Sequence, residues 1–311
     1  MTELLSSQFY CSAASRLRNE ACFGTGVTAD IWLLIECPEP WGRIAVAEST
    51  MPQTVKDHIK CLTRQSKRIR TQLIKQEPRT GWPHKVYFAY TTESNPLIYE
   101  AEIGSYDDLL KLDPDKLIDR ALPFEHSLVT HPLFLVCTHG RHDKCCAKFG
   151  YATYKLMHEI APECVWQTSH VGGDRFASNV ISFPTGVYYG HVDDAAAAAM
   201  ITAENNGEIL LEKYRGRTCF GKFAQVAEYF IRRESGLRTT ASLRREWVRS
   251  NEEKTEWTSL FSSPADNAQH IVRFTKRPAP HKAMLTCHAT EEKTPVEYHL
   301  LEYTREVNAD I

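Results

Sequence analysis

Apolar positions along this chain fall into two recurring patterns. Short apolar runs bounded by Pro, Gly or Asn read as buried strands, and longer stretches with apolar residues three and four apart read as helices. Ile31-Trp32-Leu33-Leu34-Ile35 is a run of the first kind, ended by the Cys37-Pro-Glu-Pro-Trp-Gly turn. From Pro52 to Gln76, Val55, Ile59, Leu62, Ile69 and Leu73 fall mostly on one face, which predicts one long helix with Pro52 in its first turn. Val86 to Tyr90 and Leu97 to Ile103 read as strands. Asp107 to Leu112 and Pro114 to Ala121 read as short helices, the second capped by Asp113.

The same patterns continue in the middle of the chain. Leu133-Phe134-Leu135-Val136 stops at Cys137, and Val165 to Ser169 stops at His170. A helical stretch from Cys146 to Ile160, closed by Pro162, lies between them. A right-handed crossover lays two such strands side by side and parallel, with their carboxyl ends at one crevice. Cys137 and His170 are therefore expected to be neighbours. Asn179 to Phe183 and Val187 to His191, joined by Pro184-Thr185-Gly186, read as a hairpin. Asp193 or Asp194 caps an alanine-rich helix ending near Asn206-Gly207. A last helix from Phe220 to Arg233 carries the stripe Phe223, Val226, Ala227, Phe230 and Ile231. Beyond it, the highly charged SLRREWVRSNEEKTEW precedes short strands in HIVRFTKRP and between Ala283 and Tyr303. No internal repeat is visible in the sequence. The organisation expected is an N-terminal α/β unit over 1–125, a motif-bearing unit over 126–238 and a small β appendage over 239–311.

Composition narrows the classes. The chain has 311 residues, 42% hydrophobic and 24% charged, with a net charge of −2, an ordinary globular balance. Nothing in it points to nucleic acid or to an anionic membrane surface. The opening residues lack a basic stretch followed by an apolar one, and Ala195 to Ile201, the longest apolar run, is far short of the roughly 20 residues of a membrane span. A cytoplasmic protein is expected. Ten cysteines are more than such a chain needs; without a secretion signal a disulfide framework is the weaker explanation, and many are expected to be buried small hydrophobes. Cys37, Cys61, Cys164 and Cys287 are expected to be buried small hydrophobes. Cys11 and Cys22, in an irregular opening segment, are assigned a local structural role, and Cys219 is either a reactive thiol at a helix start or, by preference, a buried one.

Two thiols and an imidazole converging on one crevice suggest an iron–sulfur or zinc site. The stretches CTHGRHDKCC and HVGGDRFASN, the following PTGVYYG, and the opening FYCSAASRLRNE and WLLIECPEPWG carry a resemblance. Together they resemble the sucrase/ferredoxin-like family over roughly residues 8 to 235. The resemblance implies a thioredoxin-like ferredoxin domain and, as in some members, a [2Fe–2S] cluster. It matches Cys137 and Cys146 to the family's cysteine positions and His170 to its first histidine. Asp174 stands where some members have a second histidine. That is a departure, because carboxylates favour hard ions. Cys145 is an alternative ligand, and His139 and His142 read as surface or hydrogen-bonding residues. Asp143 reads as a helix cap that leaves Cys146 in the first turn, where the helix dipole favours the thiolate. Gly172-Gly173 is either a backbone nest facing the cofactor or a plain turn. Arg175 and Asn179 either tune the centre or hold the loop backbone.

The expected function is electron transfer through a [2Fe–2S] cluster held by the Cys-x8-Cys and His-x3-Asp loops, with an unidentified redox partner protein. The basic run Lys56, Lys60, Arg64, Lys67, Arg68 and Arg70 is a solvated helix face or, alternatively, a docking surface for an acidic partner. Two other readings compete. One is a thiol oxidoreductase without a cluster, using Cys137, Cys145 or Cys146. A vicinal disulfide there is awkward, since adjacent Cα atoms sit about 3.8 Å apart. The other is a zinc protein. Sugar hydrolysis, despite the family's name, finds no identifiable carboxylate pair.

Overall fold

In the computed structural model, residues 9–66 and 68–307 are described, and Lys67 of the basic run lies outside them. The architecture is mixed α/β, built on two sheets. The larger is ten-stranded, in the order β10-β9-β8-β6-β7-β2-β1-β3-β4-β5 along its width. Its strands are β1 (Ile31–Glu36), β2 (Ile69–Lys75), β3 (His84–Tyr90), β4 (Leu97–Ile103), β5 (His126–Leu128), β6 (Leu133–Cys137), β7 (Val165–Thr168), β8 (Val180–Phe183), β9 (Val187–Tyr189) and β10 (Tyr214–Arg217).

The two halves of this sheet share one topology. β1 runs parallel to β2 and antiparallel to β3, which continues antiparallel to β4 and then β5. β6, β7, β8, β9 and β10 repeat that scheme strand for strand. The helices repeat too. Helix α2 (Gln53–Gln65) joins β1 to β2 as α4 (Tyr151–Ile160) joins β6 to β7. Likewise α3 (Pro114–Ile118) lies between β4 and β5 as α5 (Asp194–Asn205) lies between β9 and β10. The halves meet where β2 and β7 pair antiparallel, Ile74 opposite Thr168. The sequence shows no such repeat because topology depends only on where apolar runs and turns fall.

One prediction is corrected. The stretch read as a single helix from Pro52 to Gln76 is helix only to Gln65, and Ile69–Lys75 is strand β2. Ile69 and Leu73 are four apart, a spacing that places residues on one face of a helix and also on one face of a strand. Both still join Val55, Ile59 and Leu62 in one core, while Ile74 faces the core on the other side of the sheet.

The second sheet, β11 (Arg244–Ser250), β12 (Glu256–Ser263), β13 (Ala268–Pro278) and β14 (Val296–Val307), is an antiparallel meander. β12 alternates half-buried and buried positions along its length, as expected for a sheet with one face on a core. Helix α6 (Lys222–Ser235) covers that face with Ala227, Phe230 and Ile231, and the helix is stopped by Gly236 in the left-handed region. No helix among the described residues is long and apolar enough to cross a membrane.

His191, just after β9, sits among positive groups. Burial first, then Arg16, Lys213 and Arg215, push its pKa down to about 3. The unfolded chain protonates this ring near pH 6.5 and the folded chain does not. Its contribution to stability is therefore present above that pH and is lost as pH falls from about 6.5 toward 3, by up to about 1.4 kcal/mol per pH unit. Urea unfolding at stepped pH is expected to show this slope, and His191→Gln is expected to flatten it.

Candidate metal centre

The site begins at the sheet's central row. Cys137, the last residue of β6, lies opposite Thr168 at the end of β7, and its N–H donates to Asn179 O at 3.0 Å. In the other half the equivalent row position, opposite Ile74, is Glu36. There the side chain is a structural anchor, accepting from Arg79 Nε at 2.9 Å and from Lys85 N at 2.7 Å. The two similar units thus differ at this row, a thiol in one and an ion-paired carboxylate in the other.

Cys146 reaches Cys137 from the following helix. A helical run over 144–160 opens just after Asp143, whose Oδ1 accepts from the Cys145 N–H at 2.8 Å, the geometry of a cap. Cys146–Gly150 forms a π-helical turn at its start, a distortion common at functional sites. Gly150 lets this turn lie against the end of β6: a Cβ there would come within 1.9 Å of Cys137 O. Gly150→Ala is expected to push the helix off the strand and to lower stability by about 1–3 kcal/mol, read as a fall in Tm.

His170 and Asp174 arrive on the loop after β7. The Sγ atoms of Cys137 and Cys146 and a ring nitrogen of His170 lie within 4.8 Å of one another. His170, Asp174 and His142 form a second such group that shares His170. His170 Nδ1 is 3.3 Å from Asp174 Oδ1, yet it is a buried nitrogen without a hydrogen bond. Asp174, 5% exposed, also lies 3.9 Å from Cys146 Sγ. It therefore touches both the thiol and the imidazole sides of the site.

The electrostatics follow from burial and proximity. The neighbouring Cys146 thiol, against the cost of burial and aided by His170, holds Cys137 well below the usual thiol range. Burial opposes a charged His170 ring, but the Cys137 thiolate outweighs it and the net shift is upward. Burial pushes the Asp174 carboxyl up to about 6 against the pull of His170.

His139 is a positioning residue. Its Nε2 donates to Gly42 O at 2.6 Å, which leaves Nδ1 to accept from the His170 N–H at 3.1 Å. Both nitrogens are committed, so the ring orients the loop rather than facing a metal. His142, read from sequence as a surface or hydrogen-bonding residue, stacks on His170 with ring centres 3.6 Å apart. Its spacing from Cys137 carried no signal that the loop would fold the ring back onto the site.

Gly172 and Gly173 both adopt left-handed φ values, +88° and +81°. Their carbonyls are held by Arg215 Nη1 at 3.0 Å and Asn179 Nδ2 at 2.9 Å. Arg175 is engaged by Glu20 at 2.7 Å and lies over the Phe176 ring. None of the hydrogen bonds or ion pairs found among the described residues joins Arg175 to Cys137, Cys146 or His170. Arg215 was invisible to sequence reasoning because it lies in a distant segment with no motif, and Glu20 closes the opening motif FYCSAASRLRNE without a residue spacing that ties it to Arg175.

The remaining cysteines are rearranged relative to expectation. Cys37 is buried, but Cys61 is exposed and Cys164 is only partly covered. Cys22 is buried with its thiol on Tyr214 O, and Cys219 sits half-buried beside the α6 core. Cys287, expected as a buried hydrophobe, meets Cys11 and Cys145 in a separate thiol group. Cys145 therefore faces away from the Cys137 site.

On its histidine side the site opens into a cavity of about 750 Å³, lined by His142, His170, Arg43, Lys56, Lys60 and Arg70 among others.

Comparison with known proteins agrees with the motif resemblance. The chain is 30% identical over 107 residues to "Altered inheritance of mitochondria protein 32" of Meyerozyma guilliermondii, covering 31% of this chain and 38% of that one. It is 29% identical over 114 residues to the protein of the same name from Clavispora lusitaniae, covering 34% and 42%. These alignments thus span well under half of either relative. No solved structure matches. Residues 22–216, which hold the larger sheet except for the last residue of β10, match the sucrase/ferredoxin-like family, and the chain belongs to that family.

Proposed function

We propose that this protein binds a [2Fe–2S] cluster through Cys137, Cys146, His170 and Asp174 and works as a one-electron carrier. The observation that carries this reading is the meeting of two buried thiols with an imidazole within 4.8 Å, closed by a buried carboxylate and an unbonded His170 Nδ1. Membership of a sucrase/ferredoxin-like family supports it. Such a cluster supplies a reversible one-electron couple whose potential is set by its ligands and their surroundings. Imidazole in place of thiolate raises that potential.

The chain's own residues do the rest. Cys137 and Cys146 present their sulfurs from a strand end and a helix start; the hydrogen bond with Cys137, then burial, holds the Cys146 thiol well above the usual range, so it gives up its proton on binding metal. His139 fixes the orientation of the His170 loop. Arg215 and Asn179 hold the Gly172-Gly173 turn. Asp174 is assigned as fourth ligand over His142 because it reaches both Cys146 and His170, whereas His142 Nδ1 turns toward Arg43 O at 3.4 Å. The basic cavity beside His142 and His170 suits a small, charge-steered encounter with an acidic redox partner.

A spectroelectrochemical titration of anaerobically purified protein tests the reading. A reversible one-electron bleaching of visible absorbance is expected. Colourless protein that resists anaerobic reconstitution would defeat it. Zinc in that protein that is lost on Cys137→Ala would then favour a zinc site held by two cysteines, a histidine and an aspartate. A Cys137 site without metal but with one fast-reacting thiol would instead favour thiol chemistry, which the Cys137–His170 pairing also accommodates.

A further inference from the structure

Beyond the Cys137 site lies a second thiol group built from the two ends and the middle of the chain. Cys11 opens α1 (Cys11–Leu17), Cys145 stands in the first turn of the helical run after Asp143, and Cys287 lies in the connection between β13 and β14. Their sulfurs form a nearly equilateral triangle: Cys11 to Cys145 is 3.6 Å, Cys145 to Cys287 is 3.3 Å and Cys287 to Cys11 is 3.5 Å. We propose that Cys11, Cys145 and Cys287, with Asp143 as fourth ligand, form a structural zinc site.

Four features of this thiol group suit it to zinc. First, the triangle has the size a metal needs. Its centre is about 2.0 Å from each sulfur, so an ion about 2.3 Å from each, the usual zinc–thiolate distance, stands about 1 Å above its plane. Second, two backbone N–H groups are aimed at the sulfurs. Cys11 N–H points at Cys287 Sγ and Ser12 N–H at Cys145 Sγ, each at 3.5 Å. Hydrogen bonds to sulfur favour the thiolate form that a metal requires.

Third, Asp143 organises the group. Its Oδ1 accepts from Cys145 N–H and its Oδ2 from Cys287 N–H, both at 2.8 Å. It belongs to the same four-residue cluster, in which the ligand atoms lie within 4.8 Å of one another. Each carboxylate oxygen keeps a lone pair for a metal. Three thiolates and one carboxylate complete a closed tetrahedron without an open position, the hallmark of a structural zinc site rather than a catalytic one.

Fourth, the chain needs a tie at this point. Residues 279–295, which bring Cys287 to the site, contain only turns and one isolated bridge, Ala283 with Lys293. Connections of that length without regular structure are uncommon unless something holds them. Zinc binding here joins the opening helix and the second sheet's connection to the helix that also carries Cys146. On binding, the ion displaces the thiol protons to solvent.

The site is independent of the proposed cluster, because it shares no ligand with it. Purified Cys137→Ala protein separates the two. We expect about one zinc per chain to remain in it, and Cys11→Ser or Cys287→Ser added to that background to lower retained zinc roughly tenfold. Because such variants can also misfold, the intact protein supplies a second readout. Stripping zinc with a thiol-reactive mercurial and a chelator, then removing both, is expected to expose new sites of proteolysis within 279–295, which zinc alone restores to protection. Zinc absent from Cys137→Ala protein, zinc unaffected by Cys11→Ser and Cys287→Ser, or a Cys145–Cys287 disulfide found by mass spectrometry under reducing conditions would each overturn the proposal. Failure of the cluster reading leaves a different pattern: wild-type protein without iron that still holds the zinc lost on Cys11→Ser or Cys287→Ser, with a second zinc only where the Cys137 site takes that ion.

Discussion

Cys137→Ala is expected to abolish bound iron and the visible absorbance that goes with it, while leaving a folded protein. The side chain is 1% exposed at the end of a central strand, so no neighbouring thiol can move in to replace it. Cys146 is fixed by the π-helical turn against the Cys137 carbonyl. Cys145 is turned into the other thiol group. Removing one small sulfur atom from a packed interior costs about 1 kcal/mol, too little to unfold a domain. The loss should therefore be specific to the metal. Cys61→Ala, at an exposed helix position, is the matched control and is expected to leave iron content unchanged. Iron, sulfide and circular dichroism measured on both variants check this. Undiminished absorbance in Cys137→Ala would remove Cys137 from the site.

The largest stability effect is expected from Glu228→Ala. Glu228 lies on α6 with no exposed surface and serves two buried arginines. Arg232 Nη2 is 2.8 Å from its Oε1 and Arg217 Nη1 is 3.6 Å away. The Tyr214 hydroxyl donates to its other oxygen. Arg232 in turn donates to Thr239 O at 2.8 Å, which ties the helix to the segment entering the second sheet. Alanine leaves two guanidinium groups buried without a carboxylate to face. Breaking one partner of such a pair costs about 3–5 kcal/mol, because the remaining charge keeps its desolvation penalty. Glu228→Gln, which keeps the shape and loses the charge, is expected to fall between. Urea denaturation midpoints measure both, and a loss below about 1 kcal/mol for Glu228→Ala would show that the arginines find other partners.

Local features of this fold were legible where one physical signal dominated. Leu97–Ile103 and the β8–β9 hairpin follow from apolar runs punctuated by turn residues. The parallel pairing of β6 with β7 follows from the handedness of crossovers, and with it the approach of His170 to Cys137. Asp113 and Asp143 act as helix caps, as their positions imply. The division at Ser66 was hidden because Ile69 and Leu73 satisfy helix and strand periodicity equally.

What the sequence withheld is long-range. Cys287 looked like any buried cysteine, and only the path of 279–295 brings it to Cys11, 276 residues away in sequence. His142 looked like a loop histidine until the loop folded its ring onto His170. The repeated topology of the large sheet left no trace in residue identity, since Glu36 and Cys137 occupy equivalent rows with unrelated chemistry. The two units differ in chemistry at that row: one keeps an ion pair where the other carries a thiol.

The most direct test is iron and acid-labile sulfide per chain in protein purified without oxygen. About two irons and two sulfides, both lost on replacing Cys137, are what the account predicts for a [2Fe–2S] centre. Protein that contains no iron or sulfide after anaerobic reconstitution would contradict it.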